Sequence, residues 1–425
     1  MKLKSVLIRK IVSLIQGRKQ GLGFLFFNVS GNLFTFLISF VLPFLLSVEG
    51  YGYFALVFAL HNVIIAFFTF GLDSSIIKFS IEKKSSSNVL FTSFIAWLIM
   101  ALFLILVFLI LAWFVVKLKF LNIELKPLIY IIISAMMISF QRIVLAYHIA
   151  NSEVKKYGRL FIFNKLVQLI LVFVVVLIYT EKIFLNLLPY ILLVQGLVNL
   201  LYVFFITFVK QTNFKTVTFK SDVVELIKFT LPLSINTVGN LGYSYGFNVF
   251  VSPFLTFAQL GILNIFTQLG SIGMMTINAL NSGYIPTFYE QYYLNYKKAV
   301  INYFHYIAQN ALIIVISIFI VGSIYKYYAY AENNNYLLSY LSIYLLGVLL
   351  YSFKSIGSNY LIIRNKTILI SSITVFTSIF NIFSGIILTK IFGFAGCVIS
   401  LSVGYFIQVL AFNYDAITNL KKNKI

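Results

Sequence analysis

Three cations stand inside long apolar runs of this chain. They are Arg142 in "SAMMISFQRIVLAYHIA" (134–150), Lys165 in the run 157–180 and Lys354 in the run 336–363. A cation at the centre of a spanning helix costs about 2.5–3.5 kcal/mol on insertion scales, so such residues usually face a cavity or a counter-charge. Arginine grips phosphate oxygens bidentately and lysine supplies a point charge. Lys165 and Lys354 have the alternative of snorkelling to the interface, and for Lys228, near a helix end, that is the simpler reading. His61 leaves titration and hydrogen-bonded packing open. His148 falls close to a helix end and is set aside, and Asp73 and Lys78 read as a pair or a helix cap. Polar side chains mark two further runs: Asn28 and Asn32 in one, Asn236, Asn240, Tyr243, Tyr245 and Asn248 in the other. Asparagine inside a span either joins helices or lines a wet cavity.

Other chemistry is excluded by what is missing. The chain has three aspartates (Asp73, Asp222, Asp415) and therefore no DxD pair. It has no Walker A loop, no metal-type His/Cys cluster and no nucleophile elbow, so no catalytic residue, metal or cofactor is expected. Lone Cys397 lies in an apolar segment and reads as a small core residue. The net charge of +21 comes from basic residues scattered between apolar runs. Without a basic groove interleaved with aromatics, nucleic acid is not an expected partner. No carboxylate falls at mid-membrane, so an acid relay for protons or sodium is absent. Coupling by titration of His61, or by charge that a transported group itself carries, stays open, as does uncoupled movement.

The elements that must position these groups are membrane helices. The 425 residues are 61% hydrophobic, 18% aromatic and only 10% charged, with mean hydropathy +0.98. Soluble domains run near 45–50% apolar and about 25% charged. About twelve runs approach the roughly 20 residues a bilayer core requires: 22–47, 51–72, 88–116, 127–150, 157–180, 184–209, 226–251, 254–275, 299–324, 336–363, 366–389 and 393–414. "SVEGYG" and "KIFGFAG" predict tight turns between antiparallel neighbours, and the tyrosine-rich segment 276–298 is expected to leave the membrane and run along its face. With the N-terminus inside, 22 Lys and Arg flank the inner ends and six flank the outer ends, which places both termini in the cytoplasm. The 28 tyrosines are mostly accounted for by interfacial belts. Residues 1–21 form either a basic interfacial helix on an anionic leaflet or a frayed tail.

The chain also repeats itself. "SGNLFTFLISFVLPFLLSVEGYGYF" (30–54) pairs with "VGNLGYSYGFNVFVSPFLTFAQLGIL" (238–263): each begins Gly-Asn-Leu, crosses, turns and resumes at a glycine, Gly52 or Gly261. Parallel repeats imply a pseudo-two-fold axis along the membrane normal, with sites between the repeats. The expected organisation is a lobe at 22–209, a cytoplasmic linker at 210–225, a second lobe at 226–414 and a basic tail at 415–425.

Four segments resemble a known family. "EGYGYFALVFALHNVIIAFFTFGLDSSIIKFS" (49–80) looks like the second helix of polysaccharide transporters, and "FTLPLSINTVGNL" (229–241) is similar to the opening of their seventh. "LGILNIFTQLGSIGMMTINALNSGYIPTF" (260–288) and "NIFSGIILTKIFGFAGCVISLSVGY" (381–405) resemble the eighth helix and the closing pair. The family is the polysaccharide branch, with Wzx-type O-antigen flippases, of the multidrug/oligosaccharidyl-lipid/polysaccharide exporter superfamily. The resemblance implies an all-α integral membrane fold: two six-helix lobes forming a V-shaped central cavity. Through it an undecaprenyl-diphosphate-linked oligosaccharide, an O-antigen or capsule repeat of lipopolysaccharide or polysaccharide biosynthesis, would pass from the inner to the outer leaflet of a bacterial inner membrane. Arg142, Lys165 and Lys354 would then meet the diphosphate, and His61, Asn32, Asn240, Tyr243 and Asn248 the sugar or cavity. Membrane lipids, a polysaccharide polymerase and a chain-length regulator are the implied partners. Two departures stand out: "YSYGFNVF" (243–250) lacks the seventh-helix carboxylate common in the family, and Lys78 stands where arginine is common. The alternatives are a small-molecule or multidrug exporter of the same fold and a membrane-embedded polymerase. The first would want an acidic site and the second a large external loop, and the sequence offers neither.

Overall fold

The computed structural model of the chain describes residues 26–73, 75–76, 86–117, 123–207, 245–329, 336–364 and 366–422, with 23, 223–224, 226–227, 230 and 234 besides. The basic segment 1–21, most of the linker 210–225, and Lys78, Lys228, Asn236, Asn240 and Tyr243 lie outside the described residues. The described residues form helices joined by short turns, with no strand among them. In order they form α1 (Phe26–Leu45), then α2 (Val48–Thr69), α3 (Ser86–Lys117), α4 (Leu125–Ala150), α5 (Val154–Ile178) and α6 (Glu181–Thr207). The second half holds α7 (Phe247–Val251), α8 (Phe257–Leu294), α9 (Tyr296–Ala329), α10 (Tyr336–Ser352), α11 (Lys354–Ile363) and α12 (Thr367–Lys422).

Among the described residues, nine helical stretches are long and apolar enough to cross a membrane. Their large side chains point outward: on α3, Leu102, Phe103 and Leu106 are 62%, 66% and 61% exposed. Such a continuous apolar face is stable only against lipid. The chain is a multi-pass membrane protein.

Helix limits follow local chemistry. Ser47 caps α2 through Gly50 N–H donating to its Oγ at 3.0 Å. Thr256 opens α8 with a capping box, Gln259 N–H donating to Thr256 Oγ1 at 3.2 Å and Thr256 N–H to Gln259 Oε1 at 3.0 Å. The expected turn "KIFGFAG" is a single residue, Gly393, at φ 60° and ψ −139°, a conformation that L-residues rarely adopt. It divides α12 into two helices that fold back on one another, bringing Gly396 against the Leu388 carbonyl and Gly404 against the Asn381 side chain. One expectation about the chain's path fails. α8 does not end at 275 but runs unbroken to Leu294, and Tyr284, Tyr292 and Tyr296 pack there against a buried core. Tyr303 and Phe288 are fully buried there, with Tyr284 and Tyr292 packed against them.

The chain divides into two compact units, Met1–Leu45 with His61–Thr237, and Leu46–Leu60 with Val238–Ile425. Unit 1 is built on α4, which packs on α6 so closely that Gly196 lies against the Ser134 backbone. Trp97 of α3 donates to Ser139 Oγ at 2.9 Å, beside the edge-on and tilted rings of Phe94, Phe140 and Phe204. On the other side α1 packs on α5, where Tyr157 donates to Asn28 Oδ1. Unit 2 is held by backbone-close contacts of α10 and α11 with the second half of α12, at Gly347 with Ser402 and at Gly357 with the Phe412 carbonyl. The first turns of α2 belong to it. Gly52 sits directly on the Phe257 carbonyl, and a Cβ at Gly261 would lie 2.7 Å from the Val48 carbonyl. The two glycines that the sequence repeat aligned are therefore the crossing point of α2 and α8.

Candidate functional site

In unit 1 the buried polar groups gather where α2, α4 and α5 meet. His61 Nε2 lies 3.1 Å from Ser134 Oγ, and Ser134 Oγ donates to the Leu192 carbonyl at 2.5 Å. His61 is thereby fixed to α4, and through Ser134 to α6, and is 3% exposed. The next residue, Asn62, receives a long 3.5 Å contact from Arg142. Arg142 and Lys165 both act electrostatically on His61, and Arg142 on Lys165, so the three form one cluster. Arg142 and Lys165 are half-buried. Beyond their first and last two turns, α1 to α6 contain these two cations and no carboxylate. Like charges so placed gain from an anion between them, and a low local dielectric strengthens that gain.

An amide cluster stands beside it: Gln195 and Asn199 each donate to Asn164 Oδ1 at 2.9 Å. Asn164 precedes Lys165 on α5 and fixes that turn against α6. Asn32 lies on α1, one turn beyond Asn28, and is half-buried. His148, set aside on sequence grounds, is structural: its Nδ1 sits 2.6 Å from Glu153 Oε2 at the α4–α5 turn.

In unit 2 the structure holds a cavity of about 320 Å³. Asn248 lines it, together with Asn264 and Gln268 of α8, Tyr344 and Tyr351 of α10, and Gln408 of α12. Lys354 stands behind the wall: its Nζ lies 3.3 Å from the Tyr351 hydroxyl and over the rings of Tyr351 and Phe412 at 5.1 and 4.8 Å. Its neighbours are thus aromatic rings. Sequence reasoning missed most of this lining by assigning tyrosines to interfacial belts. The signal was there as polar periodicity: Asn264, Thr267, Gln268 and Ser271 share one face of an otherwise apolar helix, and Tyr344 and Tyr351 are two turns apart. Cys397 is buried, as a core residue should be.

The fold has known counterparts. A multidrug resistance MATE family transporter of the MOP superfamily, in an inward-facing conformation, superposes with TM-score 0.70 at 15% identity, over 93% of this chain and 96% of that one. The lipid II flippase MurJ, in an inward closed conformation, gives TM-score 0.64 at 15% identity over 94% of this chain and 87% of its own. A MOP superfamily transporter from Pyrococcus furiosus gives 0.57 at 14% identity over 95% of both. At such identities the likeness establishes the fold alone, an all-α membrane architecture shared with these transporters. No curated protein matches by sequence. The family described as polysaccharide biosynthesis protein matches residues 19–291, well over half the length. Its match spans all six helices of unit 1 with the His61–Arg142–Lys165 cluster and most of α8, and on that ground the chain belongs to the polysaccharide biosynthesis protein family.

Proposed function

We propose that this protein is a flippase. It passes an undecaprenyl-diphosphate-linked oligosaccharide, an O-antigen or capsule repeat unit, from the inner to the outer leaflet of a bacterial inner membrane by alternating access. The observation that carries this reading is the cluster of Arg142, Lys165 and His61, two cations and an imidazole inside a membrane unit whose helices hold no carboxylate beyond their terminal turns. A diphosphate crossing a bilayer needs cationic partners, and this cluster supplies them where lipid would otherwise exclude charge. Membership in a polysaccharide biosynthesis family supports the saccharide part of the cargo. The fold shared with a lipid II flippase supports movement of a lipid-linked one. A cationic drug would meet repulsion at the same cluster. In this reading the two expected six-helix lobes move about the cargo, both termini face the cytoplasm, and a polymerase and chain-length regulator take the product on the far side.

The test is reconstitution of the purified protein in liposomes with a fluorescent undecaprenyl-diphosphate oligosaccharide in the inner leaflet. Wild type is expected to move it outward, and Arg142→Ala to slow that movement. Unchanged movement in the variant would remove the diphosphate role, and no movement in wild type would remove the flippase reading.

A further inference from the structure

The cavity in unit 2 differs in kind from the unit 1 cluster: no Lys, Arg, His, Asp or Glu is among its described lining residues. Its volume of about 320 Å³ falls at the lower end of the roughly 300–1,000 Å³ of small-molecule sites. Two of its walls are incomplete. Asn248 and Gln408 are 6% and 2% exposed, yet Asn248 Oδ1 and Gln408 Oε1 accept no hydrogen bond from any described residue. Buried carbonyl oxygens without donors are costly to keep, and here both belong to residues that line the same cavity.

What satisfies them must donate. Phosphate and carboxylate oxygens at neutral pH only accept and would oppose these lone pairs, whereas a sugar hydroxyl donates and accepts, and an N-acetyl group brings an N–H. Aromatic faces are also in place. Tyr405 has its ring centroid 5.0 Å from that of Tyr351 and 6.2 Å from that of Tyr344, a tilted trio offering apolar surface for a sugar's C–H face. Lys354 completes the arrangement from behind. Its ammonium donates to the Tyr351 hydroxyl oxygen and so holds that side chain in place.

We infer that the cavity bounded by Asn248, Gln408, Tyr344, Tyr351 and Tyr405 is a subsite for an uncharged, hydroxyl-rich sugar. It recognises the cargo's saccharide separately from its diphosphate, with Lys354 as a positioning residue for Tyr351. The inference rests on the proposed flippase reading only for the lipid that delivers the sugar, so it is testable without that lipid.

The experiment titrates purified full-length protein in nanodiscs with N,N′-diacetylchitobiose, with the same disaccharide carrying a uronate in place of one sugar, and with undecaprenyl diphosphate. Wild type is expected to bind the neutral disaccharide saturably and the uronate at least about tenfold more weakly. Gln408→Leu and Asn248→Leu are each expected to weaken neutral-sugar binding by about tenfold, the worth of one good hydrogen bond, and to leave undecaprenyl diphosphate affinity unchanged. Without ligand, Gln408→Leu should melt at or above wild type, since a buried oxygen lacking a donor is removed. Lys354→Met, which retains length and loses the donor, should weaken the sugar and not the bare lipid. Undiminished sugar binding in both leucine variants, equal binding of uronate and neutral sugar, or no saturable sugar binding by wild type would each overturn the subsite. Failure of undecaprenyl diphosphate alone to bind would count against the flippase reading and leave the sugar result to stand by itself.

Discussion

The two units are made of the same material, long apolar helices with glycine at close crossings, and they differ in the polar groups they bury. Unit 1 gathers Arg142, Lys165 and His61 where α2, α4 and α5 meet. Unit 2 encloses a cavity of amides and phenols and keeps a neighbouring cation, Lys354, behind a tyrosine. In a low-dielectric interior a charge acts over a distance and an amide only at contact. Unit 1 is thus suited to capture a charged group, and unit 2 to read the shape and hydroxyls of a neutral one. The sharpest way to break this contrast is to remove the charge from unit 1. Arg142→Gln keeps hydrogen-bonding capacity and should slow liposomal translocation by about 10- to 100-fold, the worth of a charge-assisted bond. Arg142→Lys, a point charge without the fork, should fall between. A loss of similar size from Gln408→Leu in the same assay would show that the units do not divide the work by charge.

Packing separates the units a second time. In unit 1, Gly158 meets the ring of Phe27, a side chain that can turn aside; in unit 2, Gly52 meets the Phe257 carbonyl, which cannot. Gly52→Ala should therefore destabilise by about 1–3 kcal/mol or more, as overpacking against backbone does. Gly158→Ala should cost distinctly less. Thermal melting of the two variants in detergent checks the pair, and equal losses would refute the assignment of the α2–α8 crossing as a backbone seam.

Much of this was readable from the sequence, for physical reasons that also explain the failures. Spanning helices announce themselves because lipid demands an unbroken apolar run, and α3 to α6 fall within a few residues of their expected limits. The seam at Gly52 and Gly261 was visible as a repeat because close helix approach admits only glycine. Arg142, Lys165 and His61 stood out because charge and imidazole are rare in such runs, although their proximity to one another is a tertiary fact. The continuation of α8 past 275 was hidden because packing of Tyr284, Phe288 and Tyr292 on α9, not hydropathy, sustains that helix. The unit 2 cavity was hidden for a related reason. Asn264, Gln268 and Gln408 are uncharged, so each looks like an ordinary polar interruption until its face of the helix is known.

Ser134 offers a finer test within unit 1, because it joins His61 to the Leu192 carbonyl. Ser134→Ala removes both bonds and should cost about 1–2 kcal/mol of stability, with a smaller slowing of translocation than Arg142→Gln as His61 loses its fixed orientation. Its counterpart in unit 2 is Asn264, which donates to Tyr51 Oη at 2.8 Å. Asn264→Leu should cost a similar amount in melting and weaken neutral-sugar binding instead of translocation of the bare lipid diphosphate. If both variants impair the same readout, the contrast between charged and neutral recognition fails.

The smallest expected effect lies at the α4–α5 turn, outside the membrane-spanning stretches, and it separates structural charge from functional charge in unit 1. Burial alone would raise the Glu153 carboxyl, but hydrogen bonds from Lys156 and His148 outweigh it and hold the group below its ordinary value of 4.5. A carboxyl held low contributes stability at neutral pH, and that contribution disappears as the pH falls below 4.5 through the lowered folded value. Glu153 is 32% exposed on its side chain, so solvent screens the interaction to about 0.5 kcal/mol. Glu153→Gln should therefore melt slightly below wild type at pH 7, and the two proteins should converge in acid once Glu153 is protonated. Translocation at pH 7 should be unchanged, because this charge fixes a turn and is no part of the Arg142 cluster. A translocation defect in Glu153→Gln comparable to that of Arg142→Gln would extend the functional cluster to the α4–α5 turn and blur the line between the two kinds of charge.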